Sequence, residues 1–223
     1  LNLGCPSGTV TAKGKGAGFL AEPQKLDQFL DQIFSKLDMK ISIKTRIGTH
    51  YEEDWEYLLA IYEKYPIHEL IIHPRIQTDM YRGVPRLGAY EKAVNRLKMP
   101  LCYNGNLFSA ADYKRITERC PDTCCFMYGR GLITNPGLVT EIREGIRPDK
   151  KTVREFHDCL FEEYRELLSG ERNVLFRMKE LWSYMAVNFT NYEKYAKKIK
   201  KSQHLSEYSS VVSSLFAEQD LID

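Results

Sequence analysis

Residues able to do chemistry cluster at the start of the chain, where Asn2-Leu3-Gly4-Cys5-Pro6 runs into a loop containing Gly14-Lys15-Gly16-Ala17-Gly18. Gly4 permits a sharp backbone turn and Pro6 fixes φ after it, so the Cys5 thiol is presented at a defined place. A thiol held this way can donate a proton or act as a nucleophile; in isolation, a buried structural cysteine reads the same. Further along come groups suited to anions and polar rings: Lys44, His73, the run Asn104-Gly105-Asn106, and Gly129-Arg130-Gly131. Glycines that let backbone amides approach, next to an arginine, suit a phosphate.

These residues must be positioned by the elements between them. From Glu22 to Leu37, Leu26, Phe29, Leu30, Ile33, Phe34 and Leu37 recur at three- and four-residue steps, predicting a helix with Pro23 in its first turn. Strands are predicted over Ile41–Ile47, Glu69–His73, Pro100–Asn104 and Thr123–Tyr128. Helices over Asp54–Tyr65, Ala89–Leu97, Ser109–Arg119 and Gly137–Glu144 alternate with them. Strict β/α alternation predicts a parallel sheet with helices packed on it. Side chains alternate along a strand, so Ser42, Lys44 and Arg46 share one face, while Ile41, Ile43, Thr45 and Ile47 meet the helices. Polar groups then follow each strand end on one rim: Lys44 and Arg46, His73 and Arg75, Asn104 and Asn106, Gly129 and Arg130. In a (β/α)₈ barrel that rim carries the active site.

After Pro148 the pattern becomes all-helical, with helices expected over Asp149–Leu168, Asn173–Phe189, Tyr192–Lys201 and Ser206–Phe216. Between Arg172 and Lys201, eight Lys/Arg face two acids, a charge excess that suits either a solvated face or a phosphate-backbone contact surface. Over the whole 223 residues the net charge is only +2, so any nucleic-acid affinity must come from local segregation of charge. No apolar run approaches the roughly 18 residues of a membrane span, and no signal-peptide pattern opens the chain. Neither a membrane partner nor secretion is expected, and a cytoplasmic location is. The six cysteines form no CxxC pair and no zinc-like spacing with histidine, so reduced thiols and no metal are expected. A chain opening inside a strand, ahead of its most functional-looking loop, reads as the C-terminal part of a longer protein.

Taken together, Asn2-Leu3-Gly4-Cys5-Pro6, Ile43-Lys44-Thr45-Arg46-Ile47-Gly48, Ile72-His73-Pro74-Arg75 with Tyr81-Arg82-Gly83, Asn104-Gly105-Asn106, Gly129-Arg130-Gly131 and Arg177-Met178-Lys179-Glu180-Leu181-Trp182 resemble the flavin-dependent tRNA-dihydrouridine synthases in order and spacing. The resemblance implies an FMN-containing TIM barrel, of the (β/α)₈ type, followed by a helical tRNA-binding domain. Here residues 1–147 would be the C-terminal half of the barrel and 148–223 the helical domain. It implies NADPH as reductant, hydride transfer from reduced FMN to C6 of a tRNA uracil, and Cys5 as the acid that protonates C5. Lys44 would hold the flavin ring edge and His73 would lie beside it. Asn104, Gly105, Asn106, Gly129 and Arg130 would bind the ribityl and phosphate end, and Asn2 and Arg82 the uracil. At position 106 the family often carries an acid where this chain has Asn. Two other readings stay open: a different FMN barrel acting on a small pyrimidine, and a non-catalytic RNA-binding fragment.

Overall fold

In the computed structural model, which describes residues 1–222, the chain packs as two compact units. The first comprises Leu1–Asn106 with Lys114–Tyr128, and the second comprises Leu107–Tyr113 with the chain from Gly129 onward.

The first unit is α/β. Its strands are β1 (Asn2–Leu3), β2 (Ser42–Arg46), β3 (Glu69–His73), β4 (Leu101–Tyr103) and β5 (Cys125–Phe126). They form one parallel sheet in the order β1-β2-β3-β4-β5, with no reversal of direction or order. The connections carry α1 (Gly8–Thr11), α2 (Pro23–Lys36), α3 (Asp54–Tyr62), α4 (Leu87–Arg96) and part of α5 (Ala110–Arg119). The helix-facing side is built from Leu3, Ile43, Thr45, Leu70, Ile72, Leu101 and Tyr103, all buried. Trp55, Leu58, Leu59, Tyr62, Tyr90 and Ala93 close over it from α3 and α4. Two polar groups in this layer are paired: the Thr45 and Tyr62 hydroxyls lie 2.8 Å apart, and Trp55 Nε1 donates to the Ala89 carbonyl at 2.8 Å. Burial pushes the Tyr62 hydroxyl well above its usual pKa. The opposite face carries Asn2, Ser42, Lys44, Arg46, Glu69, Ile71, His73, Cys102 and Cys125, of which only Ile71 is aliphatic.

Boundaries differ from the sequence expectation at informative places. The glycine-rich stretch after Cys5 is not an open loop, because it folds into α1 and a 3₁₀ turn at Gly16–Ala21. The strand expected over Thr123–Tyr128 is reduced to Cys125–Phe126. Its start is drawn into a turn in which the Thr123 amide donates to the Cys120 carbonyl, while Met127 N–H still reaches the Tyr103 carbonyl at 2.8 Å.

The second unit is helical: α6 (Arg130–Thr134), α7 (Leu138–Glu144), α8 (Lys150–Leu167), α9 (Glu171–Met185), α10 (Tyr192–Lys201) and α11 (Leu205–Glu218). Asp149 caps α8, accepting the Thr152 amide at 2.8 Å. Val153, Val174, Leu175, Met178, Trp182, Met185, Phe189, Tyr195, Ile199, Tyr208, Val212 and Leu215 form its core. The long helix expected to reach Phe189 stops at Met185, with a 3₁₀ turn at Ala186–Asn188. There the Asn188 side chain donates to the carbonyls of Met185 and Thr134, which serves backbone acceptors left over at helix ends. Within the core, Trp182 Nε1 donates to the Tyr208 hydroxyl at 2.7 Å, and that hydroxyl lies 2.7 Å from His157 Nε2. His157 Nδ1 in turn meets the Asp158 carboxylate at 2.7 Å. No helix among the described residues is long and apolar enough to cross a membrane.

Candidate active site

Cys5 sits on a backbone loop held at both ends. The carboxamide oxygen of Asn2 accepts the amides of Gly4 and Cys5, each at 3.1 Å, and the Cys5 carbonyl accepts the Ala17 amide at 2.9 Å. Gly16 lies against the same turn at φ +56°, where an added Cβ would come within 2.7 Å of the Cys5 carbonyl oxygen. Only glycine fits there. The thiol is partly exposed, as access by a ligand requires.

Register places the other candidates beside this loop. Asn2 pairs with Lys44, and Arg46 with His73, so Asn2, Lys44, Arg46 and His73 lie on neighbouring strands on the side away from the helices. Lys44 is half-buried there. Burial, with the Arg46 charge behind it, pushes its ammonium below the ordinary lysine range, while nearby Cys102 opposes the shift. Asn104 follows β4, donating from Nδ2 to the Met127 carbonyl at 2.7 Å. At Gly105 an added Cβ would come within 3.1 Å of the Pro85 ring. Asn106 takes a left-handed conformation, φ +43°, which asparagine tolerates better than most residues, and its Oδ1 accepts from Arg75 at 3.1 Å.

Two arginines that sequence reasoning placed on the rim without a role prove fully buried. Arg46 donates to the carbonyls of Gly4 (3.1 Å), Ile76 (2.9 Å) and Met80 (2.6 Å), so it ties the cysteine loop to the segment after β3. Arg75 donates to the carbonyls of Arg82 (3.0 Å) and Gly83, and its Nη1 lies 2.9 Å from His73 Nε2. Together they staple the segment 76–83, in which Met80 takes φ +55° and the exposed Tyr81 ring sits 5.4 Å from the Arg46 guanidinium. Arg82, the other residue expected to hold substrate, is exposed on that segment; its amide donates to the Asp79 carbonyl at 2.9 Å. The signal for both buried arginines was present in Lys44-Thr45-Arg46 and His73-Pro74-Arg75, where charges recur at two-residue strand spacing.

The same sheet face gathers three potential metal ligands that spacing along the chain does not reveal: Glu69, Cys102 and Cys125, with ligand atoms all within 4.8 Å of one another. Burial and the neighbouring Cys125 and Glu69 push the Cys102 thiol far above its usual pKa, and burial and a hydrogen bond to Glu69 raise that of Cys125. A dication bound there would have to displace both thiol protons beside the Lys44 ammonium.

Gly129 and Arg130 belong to the second unit, as the N-cap and first residue of α6. The Arg130 guanidinium lies 5.6 Å from the centre of the Phe108 ring. At Gly131 an added Cβ would come within 1.8 Å of the Leu107 carbonyl oxygen, which forbids any side chain. Of the basic residues in the helical unit, Lys194, Lys197, Lys198, Lys200 and Lys201 are exposed on α10, whereas the Lys179 ammonium is committed to the Ser202 carbonyl just past its end.

The chain is 26% identical to a probable tRNA-dihydrouridine synthase 1 of Synechocystis sp., across all of this chain and 61% of that protein. It is 27% identical to tRNA-dihydrouridine synthase B of Pasteurella multocida, over 67% of this chain and 45% of the relative. It is also 26% identical to a tRNA-dihydrouridine(16) synthase of Pseudomonas syringae pv. tomato, over 64% and 45%. The chain thus spans about half to three-fifths of the length of these relatives. The family model for dihydrouridine synthase (Dus) matches residues 1–219, nearly every residue of both units, and the chain belongs to that family.

Proposed function

We propose that the protein reduces uridine to 5,6-dihydrouridine in tRNA, with FMN as its cofactor and NADPH as the reductant. The observation that carries this reading is the partly exposed Cys5, held by Asn2 and Gly16 in the loop that follows β1, next to the strand that presents Lys44, in a chain of the dihydrouridine synthase family. The sequential, unreversed strand order is the connectivity of a (β/α)₈ barrel, and residues 1–147 are read as the C-terminal half of one. Residues 148–223 are read as the helical domain that grips tRNA. A tRNA substrate and the absence of a membrane-spanning helix among the described residues suit a cytoplasmic enzyme.

The residues present fit a flavin. Lys44 is a half-buried ammonium whose charge burial makes costly, so an electron-rich ring edge beside it is favoured. In the first unit, His73 would lie beside the ring and Asn104, Gly105 and Asn106 would take its ribityl end; Gly129 and Arg130 are carried to the phosphate by the family resemblance alone. When bound, reduced FMN supplies hydride to C6 of the uracil. Asn2 and Arg82 hold the base, whose displacement from the tRNA stack costs a few kcal/mol that interactions in the pocket offset. Cys5 delivers its thiol proton to C5 as charge develops there.

The test is turnover by the protein at its natural length on tRNA lacking the modification, with dihydrouridine read by mass spectrometry. Cys5→Ala should slow uracil reduction by roughly 10²–10⁴-fold, the usual worth of a general acid, while NADPH still reduces the flavin. Undiminished turnover in that variant, or no dihydrouridine from the unaltered protein, would overturn the reading.

A further inference from the structure

We infer that Glu69, Cys102 and Cys125 make a binding site for a thiophilic dication such as Zn²⁺, set into the sheet toward the amino end of β3. The inference goes beyond the flavin reading and does not depend on it.

The three ligands come from three neighbouring strands, and the register brings them together. Cys102 on β4 pairs with Cys125 on β5 and with Ile71 on β3, and Glu69 stands two residues before Ile71 on the same face. Their ligand atoms all lie within 4.8 Å of one another, with Cys102 buried and the other two half-buried. In a tetrahedral zinc site, bonds of about 2.3 Å to sulfur and 2.0–2.2 Å to a carboxylate oxygen put neighbouring ligand atoms about 3.6–3.8 Å apart. Side-chain rotations that draw the three atoms in by about 1 Å therefore complete three corners of the tetrahedron and leave the fourth to water. Glu69 opens β3 and His73 closes it, so at about 3.3 Å per residue the carboxylate's backbone is roughly 13 Å from the rim histidine's.

The donor set is weakly committed and chemically selective. Glu69 makes no ion pair among the described residues, and its carboxylate accepts the Cys125 thiol. Cys102 Sγ reaches the Tyr103 carbonyl at 3.9 Å, and a thiol is a weak donor that a metal bond readily replaces. Two sulfurs select zinc-like ions over Mg²⁺ or Ca²⁺, which prefer oxygen alone. On entry the ion forms two metal–sulfur bonds and one metal–oxygen bond, and the two thiol protons pass to water. Burial makes both thiolates costly, and at Cys102 the neighbouring Cys125 and Glu69 add to that cost, so a cation among them removes the repulsion. The two thiolates and the carboxylate outweigh a dication by one negative charge. The Lys44 ammonium, close enough to Cys102 for each to sense the other's charge, balances it. The ion would tie β3, β4 and β5 together across the face away from the helices.

Cadmium is the probe, added to the protein at its natural length, kept reduced with a phosphine. The expected result is one equivalent bound with a sulfur-to-metal absorption band in the ultraviolet difference spectrum, displaced by Zn²⁺ and not by excess Mg²⁺. The thermal midpoint should rise with metal concentration, as for any ligand of the folded state. Cys102→Ser and Cys125→Ser should each abolish the one-to-one band. Glu69→Gln should keep the band and weaken binding by at least the roughly 10–100-fold that loss of an outer-shell partner costs. A measurement on the unaltered chain stands even where a variant fails to fold. Bound Zn²⁺ should protect Cys125 from alkylation, read by mass spectrometry, while the exposed Cys124 and Cys159 stay reactive. A cadmium band that survives both serine substitutions, protection shared equally by Cys124 and Cys159, or no binding by the folded, reduced protein would overturn the site.

Discussion

The carboxamide oxygen of Asn2 accepts the backbone amide of Cys5 at 3.1 Å, and that of Gly4 at the same distance, so one short side chain sets the turn that carries the thiol. Asn2→Ala strands both amides. At about 1 kcal/mol for each hydrogen bond, the variant should lose about 2 kcal/mol, a thermal midpoint lower by about 4–8 °C for a chain of this size. Alkylation of Cys5 should speed up as the loop loosens. Asn2→Asp keeps the acceptor and should recover most of the midpoint, measured by thermal denaturation. An unchanged midpoint in Asn2→Ala would mean that Gly16 and Ala17 alone hold the turn.

A buried histidine gives the helical unit a predictable response to acid. Burial lowers the pKa of His157 below its ordinary 6.5, although the Asp158 carboxylate opposes the shift. Above about pH 6.5 folded and unfolded chains carry the same neutral ring. Below it the unfolded chain takes up a proton that the folded chain refuses, so stability falls as pH drops from 6.5 toward the lowered value. The urea midpoint of the helical transition should therefore decline between pH 7 and pH 5. The Asp158 carboxyl is held below its usual range despite burial, by Arg154 and His157, so its own loss begins only at more acidic pH. A His157→Gln variant, which has no titrating ring, should show a flatter profile over that window.

Five exposed lysines on α10 form the basic surface proposed to meet tRNA. Lys197→Glu together with Lys200→Glu should weaken tRNA binding and make it less sensitive to salt. The log–log slope should fall by about 0.7–0.9 for each phosphate that is no longer neutralised. Filter binding across a salt series measures it. Lys179→Met is the contrasting change: its ammonium serves the Ser202 carbonyl, so stability should drop while the salt slope stays the same.

Much of this was legible because strand periodicity is a short-range property. Lys44 was placed on the polar side by alternation, since Ile43 and Thr45 beside it had to face the helices, and His73 was placed with it as a polar group at a strand end. What escaped depends on distance along the chain. The three strands that bring Glu69, Cys102 and Cys125 together are separated by whole helices, so no local spacing announces the cluster. Arg75 reads as a charge at a strand end, yet its acceptors lie on Arg82, Gly83 and, 31 residues away, Asn106. The run Thr123-Cys124-Cys125-Phe126-Met127-Tyr128 has the composition of a six-residue strand, but a turn that hydrogen-bonds Thr123 back to Cys120 trims it.

The two-faced character of β2 has a wider consequence. Its residues alternate between an apolar layer, Ile43 and Thr45, and a chemical one, Lys44 and Arg46. Sliding this strand by one residue against β3 would turn both cations into the helix layer and expose two buried side chains at once. Any sequence able to place Lys44 and Arg46 on the rim is therefore also one that folds in a single alignment. The two cations act as a proofreading device for strand pairing, and their loss should be felt in the fidelity of folding as well as in chemistry.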